Sequence, residues 1–238
     1  MKINSYIFII LSVVILGCSK SKPSVKLFEN LDYFNRIELE DSFEVHLIEG
    51  STFTIRIEGD EDVIDKVEYE ILDSVLSIKN TRSIKWVSPR KNKIKVYITS
   101  LPLEVVAAHQ TCYITTDTPI TSDEFGLEFH GKANEANLEL NGNIFYYWNN
   151  FQCGGKLTLS GSTNVLKLWN FAIVAVEASS LTANNAIVEN SSKGDCIIKV
   201  NNKLDYAITG DGNIYLYGNP PIINETEVST SQGQLIQY

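Results

Sequence analysis

From Phe34 onward, apolar and polar residues alternate with a period of two. Ile37 and Leu39 share one face of a short run, and Phe43, Val45 and Leu47 share the face of the next. Phe53, Ile55 and Ile57 follow, then Val75-Leu76-Ser77-Ile78 and Ile94-Lys95-Val96-Tyr97-Ile98. Turn-forming groups such as Glu49-Gly50-Ser51 and Glu58-Gly59-Asp60 bound several of these runs. Alternation at this spacing predicts half-buried β-strands, because successive side chains on a strand point to opposite faces. Asp60 to Glu70 is the one stretch able to form a helical turn.

After about residue 101 the texture changes. Apolar pairs recur between small and amide residues: Asn141-Gly142-Asn143, Asn149-Asn150, Gly154-Gly155, Ser160-Gly161-Ser162 and Asn184-Asn185. A step of 21 links Phe145, Leu166, Ile187 and Ile208, and the same step links Trp148 with Trp169, Asn149 with Asn170, and His109 with His130. Cys112, Ala133, Gly154, Ala175 and Cys196 form a column of small residues. Other columns fail, such as Tyr147, Leu168, Glu189 and Gly210, so the repeat is degenerate. Repeats of this length predict a solenoid in which each coil stacks on the last. The predicted fold is all-β: a right-handed parallel β-helix over 101–220, preceded by a strand-rich part over 34–100. An antiparallel β-sandwich is the rival architecture.

The first residues address the chain to a compartment. Met1-Lys2 is a short positive start, and Ile3–Leu16 is nearly all apolar before Gly17-Cys18. That is the plan of a secretory signal, and it is too short to span a bilayer. Ile15-Leu16-Gly17-Cys18 resembles the lipobox of bacterial lipoproteins, although Leu16 is bulkier than the usual residue there. The resemblance implies a signal peptide over 1–17, a lipidated Cys18 and a tether over 18–33. Ser19, where an Asp would imply inner-membrane retention, implies the outer membrane. Ser19-Lys20-Ser21-Lys22, with no acidic run, points to its periplasmic side.

Composition narrows the function. Lys plus Arg total 20 against 29 Asp plus Glu, a formal net charge of −9, and such a surface repels phosphate backbones. Nucleic acid is therefore not an expected partner. Cys112, Cys153 and Cys196 are odd in number, have no Cys-x-x-Cys spacing, and would sit about two coils apart. They read as small buried hydrophobes, with no zinc site.

The segment Thr209-Gly210-Asp211-Gly212-Asn213-Ile214-Tyr215-Leu216-Tyr217-Gly218-Asn219-Pro220 resembles the closing motif of the head GIN domain family, labelled an auto-transporter adhesin. Phe34-Asn35-Arg36-Ile37 and the strand ending at Gly50 are similar to the family's opening. Ser160-Gly161-Ser162-Thr163-Asn164, Ser192-Lys193-Gly194-Asp195 and, more faintly, His130-Gly131-Lys132-Ala133-Asn134 resemble its internal turns. The resemblance covers 34–220, leaves 221–238 as a tail, and implies a lipoprotein or secreted β-helix of unknown ligand.

Chemistry is sparse. There is no nucleophile elbow, phosphate loop or dinucleotide fingerprint. The carboxylates of Asp117, Asp123, Glu124, Glu128, Glu135 and Glu139 fall on different columns, so no acid/base pair is predicted. His109 and His130 stack on adjacent coils without a carboxylate that sequence alone assigns to them. The acidic turn at Glu58, Asp60, Glu61 and Asp62 matches no calcium loop. No catalytic residue, metal or cofactor is expected.

Two features suit recognition. A basic island runs from Lys79 to Lys95 without an acid and holds Lys85, Trp86, Arg90 and Lys91. It suits an anionic glycan, lipid headgroup or acidic protein, or else protects a sheet edge. Phe145-Tyr146-Tyr147-Trp148-Asn149-Asn150-Phe151, echoed by Trp169-Asn170-Phe171, has more aromatics than one coil can bury. Trp148 and Trp169 with Asn149 and Asn170 would suit a sugar ring, although a core ladder is the equal alternative. The sequence predicts a non-enzymatic, membrane-anchored envelope module that binds a glycan or an envelope protein. A structural assembly module and a polysaccharide-active enzyme are the alternatives.

Overall fold

The computed structural model describes residues 23–28, 31–83, 93–150 and 152–238. Cys18, Lys85, Trp86, Arg90 and Lys91 lie outside the described residues.

Strand alternation builds each coil. In β2 (Arg36–Leu39) and β3 (Glu44–Glu49), Ile37, Leu39, Val45 and Leu47 are buried, while Glu38 and His46 face outward. These two strands form one rung. β6 (Val75–Asn80) and β7 (Lys95–Ser100) lie parallel to them on one side, and β8 (Val105–Ala108) and β9 (Tyr113–Thr116) on the other. β10 (Glu124–Phe129), β11 (Lys132–Asn149), β12 (Cys153–Ser192) and β13 (Cys196–Ile208) continue the stack in parallel register. The chain is a β-solenoid of about six turns. Phe145 pairs with Leu166 on parallel strands, which excludes the antiparallel sandwich.

The winding starts earlier and ends later than the sequence predicted. It begins at Arg36 rather than 101, because β2 and β3 are themselves coil strands. The first rung, β6–β7, is closed by antiparallel neighbours. β5 (Val67–Leu72) lies against β6, β4 (Thr54–Asp60) against β7, and β1 (Pro23–Phe28) against β4. Between β4 and β5 the expected helical turn is present as α1 (Glu61–Ile64), capped by Asp60. Residues 221–238 are not a loose tail. β15 (Ile222–Glu227) pairs with β13, and β16 (Leu235–Gln237) pairs with β14 (Ile214–Tyr217).

The spacing of 21 holds where it is most regular. Every residue pair of β11 and β12 from Lys132–Cys153 to Trp148–Trp169 has that offset. It then shortens: Val176 meets Cys196, and after two register shifts Asn185 meets Lys203. The coil before it is already one residue short, with Asn164 against Asn184 and Asn170 against Asn190. Ile187 therefore leaves the inward ladder and is 42% exposed, while Ala186 and Val188 are buried. The small-residue column slips for the same reason, since Cys196 pairs with Val176 rather than Ala175.

Among the described residues, no helix is long and apolar enough to cross a membrane. Cys112, Cys153 and Cys196 are free and buried, as their reading as small hydrophobes requires.

Candidate functional site

One outer face of the solenoid carries the candidate site. On β11, Phe145 and Tyr147 point into the core, so Tyr146 and Trp148 point out. Trp148 pairs in register with Trp169, and both indoles are half-buried on the outside of neighbouring rungs. The strip continues diagonally. The His130 ring lies 5.3 Å from Trp148, and His109 stacks on His130 at 4.6 Å with 22° between planes. Four rings on four successive rungs span about 14 Å at the usual strand spacing.

Asn149 and Asn170 do not join that platform. Both are fully buried, because alternation sends the residue after an outward Trp inward. The Asn149 Nδ2 donates to the Phe171 carbonyl at 2.9 Å, and its Oδ1 accepts from Phe171 N at 2.8 Å. Asn170 donates to the Val174 carbonyl at 2.9 Å and to Asn190 Oδ1 at 3.1 Å. These amides satisfy backbone groups at the corners of the coils and are not presented to a ligand.

Carboxylates flank the rings from strands that are distant in sequence. Glu128 is in register with Trp148, and its Oε2 lies 3.1 Å from His130 Nε2. Glu38, 71 residues from His109, places Oε2 2.6 Å from His109 Nε2. Sequence spacing could not show this neighbour, because β2 enters the stack next to β8.

A cleft of about 500 Å³ opens on the same face, lined by Arg36, Glu104, Ser122, Asp123, Glu124 and Tyr146 among others. Arg36, Val105, Gly126 and Tyr146 form one cross-rung row. The Tyr146 ring lies across Gly126, where an added Cβ would come within 2.0 Å of Tyr146 Cζ. Glycine thus lets the aromatic wall lie flat. Burial raises the Tyr146 hydroxyl pKa, helped by Glu128, Glu124 and Glu104, while Arg36 opposes the shift. The sequence reading missed this cleft, because Glu104, Asp123 and Glu124 converge only through the stacking of β8 on β10.

The ends of the basic island that are described are partly neutralised. Lys95 Nζ lies 2.6 Å from Glu44 and Lys79 Nζ 3.5 Å from Glu68, both acids on neighbouring strands. The bond from Lys95 holds the Glu44 carboxyl below its ordinary pKa and raises that of Lys95 in turn. In the acidic turn, Glu58 accepts from Arg56 and from the Tyr97 hydroxyl, and Asp60 caps α1.

Residues 33–220 match the family model described as "Putative auto-transporter adhesin, head GIN domain". The chain belongs to the head GIN domain family. No functionally curated protein matches it in sequence. A crystal structure of a putative adhesin from Bacteroides fragilis superposes with a TM-score of 0.80 at 17% identity, covering 91% of this chain and 97% of that one. A putative adhesin from Parabacteroides merdae gives 0.58 at 19% identity, over 92% and 97%. A putative lipid binding protein from Parabacteroides distasonis gives 0.59 at 16% identity, over 91% and 98%. At these identities the neighbours establish a shared fold.

The head GIN closing motif is explained by its packing. A Cβ on Gly212 would meet the Gly194 carbonyl oxygen at 2.1 Å, and one on Gly210 would meet Ser192 O at 2.2 Å. Glycines therefore let consecutive turns touch backbone to backbone. Asp195 Oδ1 accepts from Asn213 N at 2.8 Å, and Asn213 Oδ1 accepts from Gln234 N at 3.0 Å, so each turn's acid or amide holds the next coil. In this head GIN chain the Gly-Asp-Gly-Asn signature is a device for stacking coils.

Proposed function

We propose that the protein is a lipid-anchored envelope lipoprotein that binds a glycan along the strip centred on Trp148 and Trp169, without catalysing a reaction. The carrying observation is the register of those two half-buried indoles on neighbouring rungs. Two fixed aromatic faces side by side offer apolar area to the C–H face of a sugar, at little cost in side-chain entropy. Glu128 beside Trp148 supplies an acceptor for hydroxyl donors, and the Tyr146-walled cleft extends the surface towards Arg36. A rigid solenoid keeps these groups in place before the ligand arrives, which reduces the ordering cost of binding. Membership in a family described as adhesins agrees with a binding role at the cell envelope.

In this reading Cys18 carries the acyl chains and holds the solenoid at the outer membrane, facing the periplasm. Cys18→Ser would abolish labelling by a palmitate analogue and release the protein from membranes. Protease added to intact cells would leave a periplasm-facing protein uncut.

The binding test is a glycan array and peptidoglycan pull-down with residues 19–238, against Trp148→Ala/Trp169→Ala. Saturable binding that the double variant loses, with its circular dichroism unchanged, supports the reading. Silence on the array combined with retention on anionic vesicles would move the role to Lys85, Trp86, Arg90 and Lys91. Release of reducing ends, lost in Glu104→Gln, would instead make the cleft catalytic.

A further inference from the structure

Glu38 and Glu40 are separated by one residue, so strand alternation sends both outward. His109 follows β8 on the neighbouring rung. Its backbone N–H donates to the Leu39 carbonyl at 3.0 Å, which pins it between the two carboxylates. One donor atom from each of Glu38, Glu40 and His109 lies within 4.8 Å of the other two. Glu38 lies in β2, which pairs in parallel with β8, and Glu40 and His109 are the residues that directly follow those two strands.

We propose that Glu38, Glu40 and His109 form a binding site for a divalent transition-metal ion of the Zn²⁺, Ni²⁺ or Cu²⁺ class. This goes beyond the glycan reading and stands independently of it. An imidazole nitrogen with two carboxylate oxygens suits borderline cations, whereas Ca²⁺ takes six to eight oxygens. Zinc binds nitrogen and oxygen at about 2.0–2.2 Å, so tetrahedral donors sit roughly 3.3 Å apart. The Glu38–His109 contact, now 2.6 Å, has to open to that spacing, while Glu40, whose donor lies no more than 4.8 Å from the other two, has to close by at most about 1.5 Å. Three protein ligands leave a coordination position open to water or to a ligand atom.

Charge favours the cation. With a neutral imidazole the trio carries two negative charges, in a chain whose net charge is −9. Arg36 sits 3.8 Å from Glu38 Oε1, whereas His109 faces Oε2. Binding would place the metal between His109 Nε2 and Glu38 Oε2, the two atoms that now face each other. His130 is a positioning residue. Its ring stacks on His109 and its Nε2 is bonded to Glu128, so it steadies the plane of the His109 ring without aiming a lone pair at the same ion.

The test is calorimetric titration of the full-length chain in detergent with ZnCl₂ and NiCl₂, using a Cys18→Ser background to remove the one thiol outside the described fold. One saturable site is expected. Glu40→Gln should weaken it at least about tenfold, His109→Ala should abolish it, and His130→Ala should change it only a few-fold. Cu²⁺ added to the same protein should give an electron paramagnetic resonance spectrum with one coordinated nitrogen, lost in His109→Ala. Should His109→Ala misfold, Glu40→Gln carries the test, because that side chain is exposed. Absence of saturable heat, equal affinity in Glu40→Gln, or a spectrum without nitrogen coupling would each overturn the proposal.

Discussion

Asn170 donates its side-chain amide to Asn190 Oδ1 at 3.1 Å, one rung further along the solenoid. Asn190 in turn donates to the Gly212 carbonyl at 3.0 Å and the Gly194 carbonyl at 3.1 Å. Both asparagines are fully buried. They form a polar ladder at the corner where three coils turn, and they satisfy carbonyls that no strand can reach.

Asn190→Ala removes the donor from both carbonyls at once. Each buried polar group left unpaired costs about 1–3 kcal/mol, so the variant should lose about 3 kcal/mol of stability. Urea unfolding of residues 19–238 measures this, and a loss under about 1 kcal/mol would show that the ladder contributes little.

Tyr147 gives the opposite expectation. Its ring is fully buried against Phe129, and its hydroxyl has no hydrogen-bond partner. An unpaired buried hydroxyl costs roughly 1–3 kcal/mol, so Tyr147→Phe should be neutral or stabilising. A melting temperature that falls by several degrees would mean the hydroxyl is satisfied in solution.

The thiols predict an alkaline limit. Burial pushes Cys112 and Cys196 up to about 12, and raises Cys153 and Tyr147 as well. Above the ordinary thiol value of about 8.5 the unfolded chain has lost protons that the native chain keeps, so stability falls as pH rises. Equilibrium unfolding at pH 7 to 10.5 should show that decline starting near pH 9, and Cys112→Ala/Cys196→Ala should flatten it. Native protein at pH 8 should react with a thiol reagent at none of the three positions, and at all of them in denaturant.

The last rung is the fourth test. Tyr238 stacks on Tyr217 at 5.2 Å and on Tyr215 at 6.1 Å, and β16 covers the edge of β14. Ending the chain at Pro220 would bare the backbone edge of the last full coil, and solenoids with bare ends associate. Light scattering should find a monomer for 19–238 and oligomers for 19–220.

Much of this fold was legible in the residues. Period-two runs located β2, β3, β4 and β7, and the recurrence of Trp148 at Trp169 gave the coil length. The alternation also held an unused signal: with Phe145 inward, Asn149 must be inward too, and Asn170 with it. Ile187 was misplaced because the coil that leads to it is 20 residues long, with Asn164 against Asn184 and Asn170 against Asn190, which no column of like residues reveals. The carboxylates beside His109 were invisible for another reason. Neighbours in a regular solenoid lie one period apart, but Glu38 reaches its partner across 71 residues because β2 is stacked out of chain order.

That stacking order constrains how the chain can assemble. The β2–β3 rung lies between β6–β7 and β8–β9, so it has no neighbour on either side until residues 75–116 exist. A chain emerging amino end first cannot grow this solenoid rung by rung from its beginning. The evenly spaced pairing of β11 with β12 needs no such wait, and closing those contacts costs only short loops. Assembly would then start in the carboxy-terminal coils and run backwards. The face that carries Glu38 and His109 would be completed last, when the early strands slot into a template already formed.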